Sequence, residues 1–289
     1  MDEDIMDFIE VDENGKLVFP ESVTSIVSEE FAYGDNVTSA EIPEGITKIE
    51  NSAFRGCSNL TKVTIPDSAT IIGFGVFSKC VSLSSIIVSD GNPNYKSIDN
   101  CCLDKTGEVL LFGCKNSKIP DGVTKIDFEA FYGCRGLTSI TIPDSVKEIG
   151  EDAFLECSGL KSIKIPNGVT RIGIGAFYGC EGLTSVIIPD SVKEIGDEAF
   201  WECTGLTSIE IPACFVDRIQ EISDFPDGFT AITIRITEKL PDKAKDVLRI
   251  LDYCAPSLVT LKVPAGCGEA YRRHPDFEGK FKEILEGLD

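Results

Sequence analysis

The chain has 289 residues, 42% hydrophobic and 26% charged, the balance of an ordinary soluble protein with material for a core. Its formal net charge of -21 opposes binding to nucleic acid phosphates and anionic lipid headgroups, and no local basic patch offsets it. No apolar run reaches membrane-spanning length, and the twelve cysteines include no CxxC pair, which removes zinc-ribbon and thioredoxin-like chemistry.

The N-terminus, MDEDIMDFIEVDENG, is acidic and lacks the basic-then-apolar order of a secretory signal. Two readings stay open: the chain remains where it is made, or a signal has been removed. DFIEVDENGKLVF predicts a hairpin turning at Asn14-Gly15, so residues 1–19 form an N-terminal cap.

A repeat follows. An Ile-Pro step falls at Ile42, Ile65, Ile119, Ile142, Ile165, Ile188 and Ile211, with 23 residues between neighbours in each run. Phe19-Pro20 extends the register backward, and Val88 marks the unit after Ile65. Within one unit the apolar positions are Val146, Ile149, Ala153, Phe154, Cys157, Leu160, Ile163 and Ile165. L-x-x-I-x-I alternates at its end like a half-buried strand, and proline is tolerated at the exit because pairing stops there. V-x-x-I predicts a second short extended piece, and A-F-x-x-C a tight bend or a single helical turn.

One such unit cannot bury its own apolar side, but stacked units can share a core. The expected fold is a right-handed, β-rich repeat solenoid of about eleven coils, roughly 50 Å long at about 4.8 Å per coil. A parallel sheet lines the concave face, with short strands and turns on the convex side. The L-x-x-I-x-I strand resembles the leucine-rich repeat, and the unit IPDSVKEIGEDAFLECSGLKSI is similar to the BspA-like, or Treponema pallidum-type, leucine-rich repeat over residues 17–212. The usual asparagine after the strand is replaced by Ser145, Gly168 and Ser191, so no asparagine ladder forms and the Pro-Asp-Ser turns satisfy the backbone instead. The resemblance implies a cell-surface or secreted protein that binds host or neighbouring-cell proteins.

Repeats occupy 20–212, with one break. The interval from Val88 to Ile119 is 31 residues, and its extended runs Tyr95 to Leu103 and Val109 to Cys114 flank DKTGE. With Gly107 in the turn, this predicts a β-hairpin insertion, about 91–114, projecting from one edge of the solenoid. After Ile211 the motif fades while FTAITI and LVTLKVP keep a strand register. Between them, Ala244, Val247, Leu248, Leu251 and Cys254 have helical spacing behind Asp242 as N-cap. EAYRRHPDFEGKFKEILEGL reads as helix, break at Pro275, and helix. Residues 213–289 are therefore a mixed α/β C-terminal cap covering the last coil.

The search for chemistry finds no catalytic set, cofactor fingerprint or metal site. His274 is the sole histidine and has no nucleophile motif to serve. DENG lacks EF-hand spacing. Trp201, the sole tryptophan, sits at the outer bend away from paired acids, which disfavours carbohydrate binding or hydrolysis.

What remains is surface. On the main sheet one outward column reads Ser39, Lys62, Ser85, Asn116, Ser139, Ser162, Ser185, Ser208, Ala231 and Thr260. Its neighbour reads Glu41, Thr64, Ile87, Lys118, Thr141, Lys164, Ile187, Glu210, Thr233 and Lys262. These columns are the candidate binding face, nearly neutral and framed by acidic turns, although small serines would also serve simply to keep a sheet soluble. The expected function is protein–protein interaction, in adhesion or recognition, with the hairpin as a second contact element. The alternative is an intracellular structural or assembly module, favoured by the missing signal and the reduced cysteines. The partner is protein, not nucleic acid or a membrane interior, and a monomer is the working expectation.

Cys57, Cys80, Cys134, Cys157, Cys180 and Cys203 share one register, three residues after Phe and three before Leu. Gly34 and Leu111 stand at equivalent points in two other units, so the position calls for packing and not redox chemistry, and free inward thiols are expected. Cys101, Cys102, Cys114, Cys214, Cys254 and Cys267 lie off this ladder, and a bridge from Cys101 or Cys102 to Cys114 stays open for an oxidising compartment.

Overall fold

Each coil has three sides, and the computed structural model shows what every side does with its backbone. It describes residues 9–222, 230–236, 256–274 and 277–287. The helix expected around 242–254 and the break at Pro275 lie outside these residues.

On the first side, V-x-x-I gives two-residue strands such as Lys125–Ile126, Glu148–Ile149, Arg171–Ile172 and Glu194–Ile195, paired in parallel. Their outward residues alternate in sign. Arg171 lies 2.9 Å from Glu148 and 3.4 Å from Glu194, so cross-strand attraction aligns the coils.

The second side is the A-F-x-x-C bend, which is not helical. Two residues per bend adopt positive φ, for example Asp152 (53°) and Glu156 (54°), or Gly175 (58°) and Gly179 (66°). This geometry turns alternate N–H groups toward the next coil. Phe131 donates to Ala153, Gly133 to Leu155 and Glu129 to Glu151, at 2.7 to 3.1 Å. Beneath them the phenylalanines stack, with Phe131, Phe154, Phe177 and Phe200 at centroid spacings of 5.0 to 5.2 Å.

The third side carries L-x-x-I-x-I. Parallel strands form at Ser39–Glu41, Lys62–Ile65 and Ser85–Val88, and again at Ser185–Ile187, Ser208–Pro212, Ala231–Arg235 and Val259–Val263. Between these two sets the ladder opens. Residues 116–119, 139–142 and 162–165 adopt no strand, and no backbone hydrogen bond joins Ile140–Ile142 to Ile163–Ile165. The expected continuous sheet is therefore two sheets with an open stretch between them.

The stack has about ten coils, not eleven. The insertion does not project. Tyr95–Ile98, Cys101–Asp104 and Val109–Phe112 form a meander, with the middle strand antiparallel to both neighbours and the last parallel to Lys125–Ile126. The run expected as one arm, Tyr95 to Leu103, is itself folded at Asp99-Asn100, both at positive φ (50° and 60°). Burial decided against a protruding hairpin: Cys101, Cys102, Leu103 and Leu110 are wholly inaccessible. Because side chains alternate along a strand, Cys102 joins the N-terminal core while Cys101 and Leu103 join the C-terminal one. The meander is a partition between two hydrophobic cores.

The C-terminal end differs from expectation twice. Gly268–Arg272 is helical, but Glu283–Glu286, expected as helix, is a strand pairing in parallel with Val259–Val263. An open sheet edge offers hydrogen bonds that outweigh the weak helical preference of so short a segment. The register is also shifted by two residues: Thr233 faces Thr260 and Arg235 faces Lys262. Ala231 therefore does not share a row with Thr260, nor Thr233 with Lys262.

Candidate functional site

The strand face was the candidate surface, and the structure divides it into three parts. In the first, Lys62 pairs with Ser85 and Thr64 with Ile87 on ordered strands. In the third, Ser185 pairs with Ser208 and Ile187 with Glu210. The middle part, holding Asn116, Lys118, Ser139, Thr141, Ser162 and Lys164, lies on the open ladder, and all six side chains are exposed.

Ile87 is 40% and Ile187 57% exposed. Each is a branched apolar residue held outward by the strand alternation that buries Val88 and Ile188 beside it. Glu210 is not available in the same way. Arg235, itself buried, approaches it at 2.9 Å, and Lys262 does so at 2.9 Å. Arg235 also reaches Asp190 at 3.2 Å and donates to the carbonyl of Ile188. Glu210, with Arg235 and Lys262, is a partly buried tie between the last regular coil and the strands after it. Nothing in the repeat signals this cluster, because Arg235 lies where the motif has faded.

The ladder thiols sit beneath the bends. Cys57, Cys80, Cys157, Cys180 and Cys203 each donate to the carbonyl of the phenylalanine 26 residues earlier, at 3.0 to 3.2 Å. A thiol is thus more than a small hydrophobe here: it caps a carbonyl of the preceding coil. Burial pushes the thiols up, Cys57 to about 11 and Cys134 to about 12, and Cys157 and Cys180 well above the ordinary value. Such groups are neutral at physiological pH and poor nucleophiles.

Cys134 makes no such bond. The coil before it, 109–119, runs from Val109–Phe112 directly toward the L-x-x-I-x-I side and has no bend of its own. Leu111 is accordingly in a strand, not at a ladder position. The bend of the preceding coil meets the one after it directly, with Lys79 donating to Tyr132 at 2.8 Å. Cys101, Cys102 and Cys114 are free thiols.

A polar clasp crosses this junction. Arg55 and Lys79 lie over the Tyr132 ring at 5.0 and 5.1 Å, and Lys79 and Arg135 each reach Glu156 at 2.9 Å. Burial works against the charge on Glu156, yet Lys79 and Arg135 hold its carboxyl below the usual range. His274 packs its ring 5.4 Å from Phe277 in the C-terminal segment. Among the described residues no cluster of three or more His, Cys, Asp or Glu is arranged to hold a metal ion, and no helix is long and apolar enough to cross a membrane.

The BspA type leucine rich repeat region matches residues 8–110 and 111–224, in six copies. The division between Leu110 and Leu111 falls at the meander separating the two cores. A leucine rich cell surface protein from Faecalibacterium prausnitzii is 35% identical, with a TM-score of 0.60, covering 68% of this chain and 53% of that one. The chain thus spans about half the length of that structure. The pneumococcal vaccine antigen PcpA, at 19% identity and a TM-score of 0.55, covers 92% of this chain and 85% of its own, a likeness of fold alone. No curated protein matches.

Proposed function

The chain belongs to the BspA-type leucine-rich repeat family, and on that premise we propose that it is a non-enzymatic protein-binding scaffold acting through its L-x-x-I-x-I face. The observation that carries this reading is the exposure of Ile87 and Ile187 on a face otherwise made of small polar and charged residues. Apolar side chains exposed on a rigid frame gain free energy when a partner covers them. The open stretch between them adds Ser139, Thr141, Ser162 and Lys164, whose side chains are free for polar contacts. Lys62, Lys118 and Lys164 leave this face less acidic than the chain as a whole, which suits a protein surface of mixed charge. A similar protein is described as a cell surface protein, which favours adhesion or recognition outside the cell over an internal assembly role.

The test uses wild-type protein and the double variant Ile87→Glu, Ile187→Glu as baits against separate surface and lysate extracts. A surface protein retained by wild type and lost with the double variant supports the reading. Retention unaffected by both substitutions contradicts it, and a partner found solely in lysate moves the function to an intracellular assembly.

A further inference from the structure

Coil stacking gathers on the L-x-x-I-x-I side a group of lysines that no single stretch of sequence brings together. Six consecutive coils contribute residues 61–64, 84–87, 115–118, 138–141, 161–164 and 184–187 to this side, and none of these is aspartate or glutamate. The chain as a whole holds 48 acids in 289 residues, about one in six. The same six segments carry Lys62, Lys115, Lys118, Lys161 and Lys164.

Pairing sets these lysines apart. Cations on the other sides of the coil have carboxylates: Lys79 and Arg135 hold Glu156, Lys125 meets Asp127 and Arg171 meets Glu148. At the two ends of the strand side, Lys16 pairs with Glu41 and Lys262 with Glu210. Among the described residues none of the five lysines between them makes an ion pair. Asp99, on the meander turn, borders the group and accepts from the Lys118 N–H through its carbonyl at 3.1 Å, but its carboxylate forms no ion pair.

The open ladder supplies further donors in the same place. On the ordered strands Thr61, Ser84 and Thr207 each donate their hydroxyl to a carbonyl of the preceding coil, at 2.9 to 3.1 Å. Thr138 stands at that register and makes no such bond, and the hydroxyls of Ser139, Thr141 and Ser162 also have no protein partner among the described residues. The N–H groups of residues 139–142 and 162–165 donate to no protein acceptor.

The third observation is spacing. Lys115 and Lys118 lie on one coil, and Lys161 and Lys164 stand at the same register two coils further on. Three residues of extended chain and two coils each span about 10 Å, so the four lysines mark the corners of a square centred on Thr138–Thr141. Lys118, Lys161 and Lys164 are exposed and Lys115 is half-buried.

Charge and spacing select the occupant. A basic segment is repelled by the lysines. A dense polyanion is repelled by the exposed turn acids at the rim, Asp121 and Asp144, and by the net charge of -21. A peptide with a few carboxylates escapes most of that repulsion, because salt screens charges more than about 8 Å away. Carboxylates three residues apart on a polyproline II-like segment are separated by about 9 Å, close to the lysine spacing. Ile87 and Ile187, on the coils before and after the square, offer apolar contacts to the same segment. We propose that Lys115, Lys118, Lys161 and Lys164 bind an extended acidic segment of a protein partner, its carboxylates about three residues apart against the lysines and the free donors of the open ladder. This rests on the reading of the strand face as a protein-binding surface and gives that partner its chemistry.

The test is fluorescence anisotropy at low ionic strength with a labelled heptapeptide that has glutamate at its first, fourth and seventh positions and isoleucine and threonine between them. The matching glutamine peptide is the neutral probe. Wild type is compared with the double variant Lys161→Gln, Lys164→Gln, with Thr141→Glu, and with the control Lys147→Gln, an exposed lysine beside the V-x-x-I strand. All are checked for native circular dichroism. The double variant and Thr141→Glu each weaken binding of the glutamate peptide about fivefold or more, while Lys147→Gln changes it less than about twofold. The glutamine peptide does not bind. The proposal is overturned if wild type does not bind the glutamate peptide, if the glutamine peptide binds as well, or if Lys147→Gln weakens binding as much as the double variant. It is also overturned if dextran sulfate binds the same lysines more tightly than the peptide, or if sedimentation shows a dimer of this chain that the double variant dissolves. In capture from surface extract, a partner lost with Ile87→Glu, Ile187→Glu but kept by the lysine double variant leaves the strand face a binding surface and removes the acidic segment alone.

Discussion

From Phe131 to Phe200 successive coils are near copies, and their stacked rings lie within 4° of parallel. At the junction the rings of Phe77 and Phe112 are 5.0 Å apart but tilted by 51°. The difference shows how a solenoid spends its sequence. In the regular region each contact serves two coils, so one motif suffices for the whole stack. At the junction nothing is reused: a meander divides the core, one bend is dropped, and a clasp of Arg55, Lys79, Tyr132, Arg135 and Glu156 ties the halves together.

The largest test of this contrast is ring removal. Phe154→Ala destabilises by about 3–5 kcal/mol in urea unfolding, because Phe154 is fully buried between two parallel rings. Phe112→Ala costs about 1 kcal/mol less, since it loses one tilted ring contact. Equal losses would mean that the stack gains nothing from its regularity.

A smaller effect separates the thiols. Cys157→Ala removes a donor from the Phe131 carbonyl as well as a buried sulfur, whereas Cys134→Ala removes the sulfur alone. The first costs about 1 kcal/mol more than the second, as measured by their urea midpoints at a common slope. Smallest is the bend itself. Glu198 holds a φ of 58° with an exposed side chain, so Glu198→Gly relieves left-handed strain at some cost in chain entropy. It raises stability by about 0.5 kcal/mol, visible as a small increase in Tm.

The regular coils were legible because their period repeats a physical requirement: Ala, Phe, Cys, Leu and Ile recur wherever a side chain must face the shared core. The N-terminal hairpin was legible for a local reason, Asn14-Gly15, and Glu10–Val11 does pair with Leu17–Val18. The meander was not. Alternation marked its strands, but whether a strand protrudes or is buried depends on what packs on both faces, and CCL at 101–103 carries apolar residues for two cores at once. The strand face was read correctly in its register wherever its strands pair from Ser39 to Ile87 and from Ser185 to Thr233, and the register was lost between Thr233 and Thr260, an interval whose path no motif dictates. Neither the Glu210–Arg235–Lys262 tie nor the junction clasp could be found from a period, because both are made by departures from it.

The recurring cysteine is a buried free thiol that packs the core. Its stability contribution has a definite pH sense. The folded thiols titrate higher than free ones, Cys57 at about 11 and Cys134 at about 12. The stabilisation is therefore complete below the ordinary thiol value of about 8.5 and is lost as pH rises through the folded values. The direct measurement is iodoacetamide labelling at pH 8 without reductant, native and then denatured, mapped residue by residue by mass spectrometry. Cys57, Cys80, Cys134, Cys157, Cys180 and Cys203 should stay unmodified in the native protein, while exposed Cys214 reacts, and all six should react once unfolded. Rapid native labelling of the ladder, or any of the six still blocked after denaturation, would contradict the account.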